Sequence, residues 1–203
     1  MTILMKTGIM MDTCLSALDN DKYIIGACTL KEYQLLLELS YFDLEGRTNS
    51  IMGHERTENS NKVKLDNMTF IPMASSGNLK IGSNTTSNNG HDYWSTLLFD
   101  NITYLSDEDQ KDPQAYTFTG SDNTEYQIKR VPRNANVKVN CSCLDFHYRF
   151  AVWDNKFKAL DGNPPAPYIK RSNRPSVNPM QTPGLCKHLI KLMNDLKAQN
   201  FFI

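Results

Sequence analysis

Three of the chain's five cysteines and one of its four histidines stand as two tight pairs, Cys141-Ser142-Cys143 and Cys186-Lys187-His188. No other feature restricts the possible folds as much. A structural zinc site takes four sulfur or nitrogen ligands in a tetrahedron, and Cys₃His is one of its common sets. If these pairs are one site, the fold must bring residues 141–143 and 186–188 together. The alternative is three core thiols and a surface histidine.

Each pair makes its own demand. A C-x-C at a strand end or tight turn can aim both sulfurs at one point if the backbone kinks between them. The second pair lies at the expected start of a helix, where the positive end of the dipole favours a thiolate. Residues i and i+2 inside a helix point about 200° apart. The helix must therefore begin irregularly around Gly184 and Leu185, or begin near Cys186. A closed Cys₃His shell leaves no place for water, so the expected zinc is structural. His54, His91 and His147 lack paired spacing and read as solvated or hydrogen-bonded side chains; Cys14 and Cys28 read as small buried hydrophobes.

The order C-x-C…C-x-H resembles the SWIM-type zinc finger. Carried over position by position, the resemblance implies Cys141, Cys143, Cys186 and His188 as ligands. The first pair would lie on a strand or hairpin and the second at a helix start. Forty-two residues (144–185) separate the pairs, longer than the usual spacer. Loop closure grows only logarithmically, so the extra length costs less than about 1 kcal/mol. Zinc binding contributes on the order of 10 kcal/mol.

The chain has 203 residues, 40% of them hydrophobic, which suits one ordinary domain or two small ones. It carries nothing that reads as a signal peptide and no apolar run long enough for a spanning helix. An odd cysteine count rules out a complete disulfide framework. The expectation is a soluble protein made in a reducing cytosol. Net charge is zero but unevenly spread: residues 1–133 hold 12 basic and 18 acidic side chains, residues 134–203 hold 10 and 4. That reads as a basic C-terminal module on an acidic body.

Three sections follow: 1–46 an N-terminal arm and helix, 47–133 a β-rich body, 134–203 a SWIM-like zinc-binding module. Thr29-Leu30-Lys31-Glu32 has capping-box form, Leu35, Leu36 and Leu39 continue a helical stripe, and Asp43 or Gly46 ends it. The methionine-rich start (Met1, Met5, Met10, Met11) suggests an arm that folds on a neighbour. Candidate strands are Lys62–Ile71, Asn78–Ser83, Tyr93–Leu105, Ala115–Phe118 and Glu125–Val131, with GSNTTSNNG and TGSDN as loops. LDNMTFI (65–71) and FDNITYL (99–105) match in character and read as strands of one sheet.

In the last section Val137-Lys138-Val139 leads into the C-x-C. Phe146, Tyr148, Phe150 and Val152 alternate as in a half-exposed strand. A passage holding six of the nine prolines follows. Thr182-Pro183 then reads as N-cap and first helical residue, and Leu185, Leu189, Leu192, Met193 and Leu196 form the apolar face of a terminal helix. The expected fold class is α+β: a mainly antiparallel β body, an N-terminal helix and a C-terminal zinc-stapled strand, loop and helix.

NCSCLDFHYRFA, the proline-rich basic passage and NPMQTPGLCKHLIKL resemble the C-terminal region of structural proteins of tailed bacteriophages, over about residues 137–197. That resemblance implies a non-enzymatic virion component of the neck, tail or baseplate, made in the host cytoplasm and present in several copies beside other virion proteins. Tyr168, Lys170, Arg171 and Arg174, on a stiff proline-rich backbone, are the expected contacts with an acidic neighbour. The alternative is a nucleic-acid module in which Lys156, Lys158, Lys170, Arg171, Arg174 and Lys187 meet phosphates and Tyr148, Trp153 or Tyr168 stack on bases. No catalytic fingerprint is present, and Asp107, Glu108 and Asp109 read as a solvated turn. No membrane partner is expected.

Overall fold

A computed structural model of the chain describes residues 38–52, 55–106, 115–166 and 176–203. Two helices, α1 (Tyr41–Met52) and α2 (Glu55–Ser60), precede strands β1 (Lys64–Met73), β2 (Asn78–Thr86) and β3 (Asp92–Phe99). Then come β4 (Ala115–Thr119), β5 (Glu125–Lys129) and β6 (Val137–Cys141), followed by α3 (Leu144–Arg149), α4 (Ala151–Lys156) and α5 (Lys187–Ala198). The fold is mixed α+β with a mainly antiparallel sheet body, as the sequence leads one to expect.

Strand alternation builds the main sheet, whose order is β1-β2-β3-β6 with every neighbour antiparallel. The register places Ile81 opposite Leu97 and Leu97 opposite Val139; Leu79 faces Phe99, which faces Val137. Side chains two apart share a face, so these six form one buried layer. Against it lies α5, whose Leu189, Leu192, Met193 and Leu196 are fully buried. Each such side chain contributes roughly 1.5–3 kcal/mol of burial. The four residues recur at the three- and four-residue spacing of a helix face.

The small β4–β5 hairpin joins the same core through aromatic rings. Phe118 stacks on Phe70 of β1 at 4.8 Å, and Phe201 lies 5.1 Å from Tyr116 and 5.4 Å from Phe99. Glu38–Ile203 make one compact unit. Strand β6, from the section at 134–203, is the fourth strand of the sheet built by the section at 47–133. The two sections therefore share one sheet and one core.

Other local expectations need correction. Asp43 and Gly46 do not end a helix. Asp43 belongs to the opening of α1, where its carboxylate accepts from the Ser40 amide (2.9 Å) and hydroxyl (2.6 Å) while the Ser40 hydroxyl accepts from the Asp43 amide (3.2 Å). That reciprocal pair is a capping box, and Gly46 lies inside the helix it starts. The box expected at Thr29–Glu32 lies outside the described residues, as do Leu35 and Leu36. Of GSNTTSNNG, the first five residues belong to β2, leaving Ser87–Gly90 to make the turn. The second copy of the repeated heptad is not a strand: Phe99 ends β3, and Asn101 turns the chain at φ 60°.

The segment with Phe146, Tyr148, Phe150 and Val152 forms α3 and α4, not a strand. Phe146 and Phe150 are four apart and both buried, while Tyr148 between them is half exposed. Helical spacing thus satisfies the same apolar residues that alternation suggested.

Candidate metal centre

The first ligand pair leaves the sheet along an extended chain. Cys141 is the last residue of β6, and Cys143 keeps extended backbone at φ −73°, ψ 146°. Alternate residues of extended chain share a face, so both sulfurs point to the buried side without a kink. Ser142 points outward and lengthens the ladder: its amide donates to the Trp94 carbonyl, and its hydroxyl accepts from the Trp94 amide, both at 2.9 Å. Cys143 is also the N-cap of α3, its Sγ accepting from the Phe146 amide at 3.3 Å.

The second pair straddles a helix boundary. Cys186 is the N-cap of α5, at φ −82° and ψ 166°, and His188 lies in the first turn. Because Cys186 is extended, the 200° separation within a regular helix does not apply. The helix starts at Lys187, not at Pro183, for a tertiary reason. The Gly184 amide donates to Asp154 Oδ1 at 2.9 Å and the Leu185 amide to Thr48 Oγ1 at 2.7 Å. Thr48 in turn donates to the Leu44 carbonyl at 2.7 Å. The chain thus runs extended past α1 and α4 before it coils.

These elements bring all four residues together. One ligand atom from each of Cys141, Cys143, Cys186 and His188 lies within 4.8 Å of the others. His188 Nδ1 is 3.7 Å from Cys141 Sγ and 3.8 Å from Cys186 Sγ. All four residues are buried, none more than 4% exposed, and the three thiols are free. The set can hold a metal ion, and its burial leaves no open approach for solvent.

Its electrostatics favour a cation. Burial raises a thiol's pKa, but hydrogen bonds with Cys143, Cys186 and Ser95 outweigh it at Cys141 and hold that thiol well below the ordinary range. Cys186 is pushed well up, by burial first and then by the adjacent Cys141 and Cys143 sulfurs. One thiolate therefore opposes the next, and bound positive charge would relieve that repulsion.

Three neighbours among the described residues touch the cluster through side chains, and no sequence pattern marks them. Ser95, opposite Cys141 in the sheet register, donates its hydroxyl to Cys141 Sγ at 3.3 Å. Ser87, in the β2–β3 loop, lies 2.7 Å from His188 Nε2 through its Oγ. The Tyr93 ring tilts over the His188 imidazole with centroids 4.6 Å apart.

Among the described residues, no other candidate named from the sequence joins the four-ligand cluster. Tyr168, Lys170, Arg171 and Arg174 lie outside the described residues, as do His54, Cys14, Cys28 and Asp107–Asp109. His91 is exposed in the β2–β3 loop, and His147 is exposed on α3 beside Tyr148. Trp153 is half buried with Lys156 Nζ 4.2 Å from its ring centroid, and Tyr148 and Lys158 are exposed. Among the described residues, no helix is long and apolar enough to cross a membrane. Comparison of the chain with protein-family models, curated proteins and solved structures finds no match.

Proposed function

We propose that this protein is a non-enzymatic structural component of a tailed-phage virion, in its neck, tail or baseplate. In this reading a structural zinc of SWIM type, held by Cys141, Cys143, Cys186 and His188, stabilises its C-terminal part. The convergence of these four buried ligand atoms carries the zinc reading. A tetrahedral shell with zinc–sulfur bonds of about 2.3 Å and zinc–nitrogen bonds of about 2.0–2.1 Å has edges of about 3.5–3.8 Å. The sulfur–nitrogen edge of such a shell is about 3.5–3.6 Å, and the two sulfur–nitrogen separations, 3.7 and 3.8 Å, lie slightly above it. Bound there, the ion would supply two positive charges to three thiolates and tie β6 and α3 to the start of α5.

The virion assignment rests on the likeness of residues 137–197 to structural proteins of tailed bacteriophages. A part that works by contact needs a surface held in one shape, which a closed ligand shell provides at low ordering cost on docking. The deciding experiment is native mass spectrometry of the protein beside Cys186→Ser, under reducing conditions without chelator. One zinc per chain in the parent and none in the variant is expected, with the parent in a defined multi-copy assembly insensitive to salt. A metal-free parent would refute the zinc reading. A monomer that binds DNA or RNA with steep salt dependence would replace the assembly reading with the nucleic-acid one.

A further inference from the structure

We propose that Ser87 is a positioning residue of the metal centre: its hydroxyl accepts a hydrogen bond from Nε2–H of His188 and so keeps the Nδ1 lone pair directed at the sulfurs of Cys141 and Cys186. This rests on the zinc reading above and adds a part to it from a different region of the chain. The ligands come from residues 141–188, whereas Ser87 lies 101 positions before His188.

A neutral histidine carries one ring proton, and the nitrogen that bears it cannot ligate a metal. His188 presents Nδ1 to the sulfurs of Cys141 and Cys186 and Nε2 to Ser87 Oγ, 2.7 Å away. Ligation through Nδ1 requires the proton on Nε2, and the Ser87 oxygen stands where that proton points. Metal-bound histidines commonly donate their second N–H to a fixed acceptor, which sets both tautomer and ring orientation. Ser87 and His188 are 6% and 2% exposed, so water does not compete for this bond.

The acceptor is itself held still. The Ser87 amide donates to the His91 carbonyl at 2.9 Å, and the Gly90 amide donates to the Ser87 carbonyl at 2.8 Å. Gly90 takes φ +74°, a left-handed conformation that glycine adopts without strain. These bonds use only backbone, which leaves the hydroxyl to His188. The ring of Tyr93, at the start of β3, lies over the imidazole at 37° to its plane and opposes ring rotation. The β2–β3 hairpin thus orients a ligand it does not supply.

The test compares zinc affinity, by competition with a chromophoric chelator, in the parent, Ser87→Ala and Ser87→Thr. It adds the long-range proton–nitrogen spectrum of His188 in the zinc-loaded parent. Ser87→Ala should bind zinc about 10- to 100-fold more weakly while keeping the parent's far-ultraviolet circular dichroism at saturating zinc. Ser87→Thr, which restores the hydroxyl, should return close to the parent. The parent spectrum should show Nε2 protonated and Nδ1 bound to metal. Zinc binding in Ser87→Ala equal to the parent's, or a zinc-loaded parent without an Nε2 proton, would overturn the role of Ser87 and leave the zinc reading standing. A parent that binds no zinc would overturn both. If Ser87→Ala does not fold, the parent spectrum alone decides.

Discussion

Gly184 occupies a gap that only a glycine fills, and Gly184→Ala tests the packing that delivers Cys186. A Cβ at this position would lie 2.7 Å from Phe150 Cε1, 2.9 Å from Phe150 Cδ1 and 2.7 Å from Thr48 Oγ1. Carbon atoms in good contact sit about 3.5–4.0 Å apart, so Phe150 and Thr48 must both give way, Phe150 by roughly 1 Å. Phe150 and Thr48 are both fully buried. Gly184 is not among the positive-φ glycines, so the expected cost is steric and not conformational. Overpacking of this kind costs about 1–3 kcal/mol. When Thr48 yields, the buried Leu185 amide loses its acceptor, which costs a further 1–3 kcal/mol or so. The expected total is about 3 kcal/mol, or a Tm lowered by roughly 6–12 °C in a chain of this size. Urea unfolding at saturating zinc, followed by circular dichroism, measures it. Coupling Gly184→Ala to Phe150→Leu, which vacates the space, should restore part of the loss. A single variant within about 0.5 kcal/mol of the parent would refute the account of why the chain stays extended into Cys186.

Two further predictions use neighbouring groups. Cys143 is the N-cap of α3 and, in the proposed zinc reading, also a ligand. In zinc-free buffer Cys143→Ser should keep the cap and stay within a few tenths of a kcal/mol of the parent, whereas Cys143→Ala should lose about 0.5–2 kcal/mol; with zinc added, calorimetry should show both binding the ion far more weakly. Asp154 is fully buried, its Oδ1 accepts from Gly184 and its Oδ2 has no partner among the described residues. Burial pushes its pKa well above the usual carboxylate range, and the Gly184 amide only partly offsets this. Between the ordinary aspartate value, about 3.9, and that raised value, the folded protein holds a proton the unfolded chain has released. The group's contribution is therefore full below the unfolded value and lost as pH rises through the folded one. Asp154→Asn, which keeps an acceptor but cannot ionise, should gain stability relative to the parent as pH rises above the ordinary aspartate value of about 3.9, as read by urea unfolding. A difference that stays constant with pH would contradict the burial argument.

The sequence disclosed the candidate ligands more readily than their setting. Four soft ligands in two pairs are chemically unusual whatever surrounds them, so Cys141, Cys143, Cys186 and His188 could be chosen without knowing a single contact. Ser87 and Ser95 could not, because a serine's usefulness here depends on sheet register and on a hairpin 101 and 46 residues from its partners. Strand positions were legible where one face is buried, as along Leu79 and Ile81. They were misleading where residues four apart also alternate, as with Phe146 and Phe150. FDNITYL shares its character with LDNMTFI but sits where Asp100 reaches Lys138 at 3.5 Å and Asn101 reverses the chain. The start of α5 was displaced from Pro183 by hydrogen bonds that the Gly184 and Leu185 amides donate to Asp154 and Thr48, which local capping rules do not contain.

The two ligand pairs bracket residues 144–185, a span of 42 that includes α3, α4 and much of the proline-rich passage. With a metal in place, that span becomes a closed ring, and ring closure acts on the denatured chain as a cystine bridge does. A bridge enclosing this many residues removes on the order of 4 kcal/mol of denatured-state entropy at room temperature. A cystine obtains that restraint by oxidation and loses it to reducing thiols. A ring closed through thiolates and an imidazole is opened by acid or by chelation, and reducing thiols keep its sulfurs in the form that ligates. The covalent chain between Cys143 and Cys186 would thus behave as a macrocycle whose fastening is set by metal supply and pH.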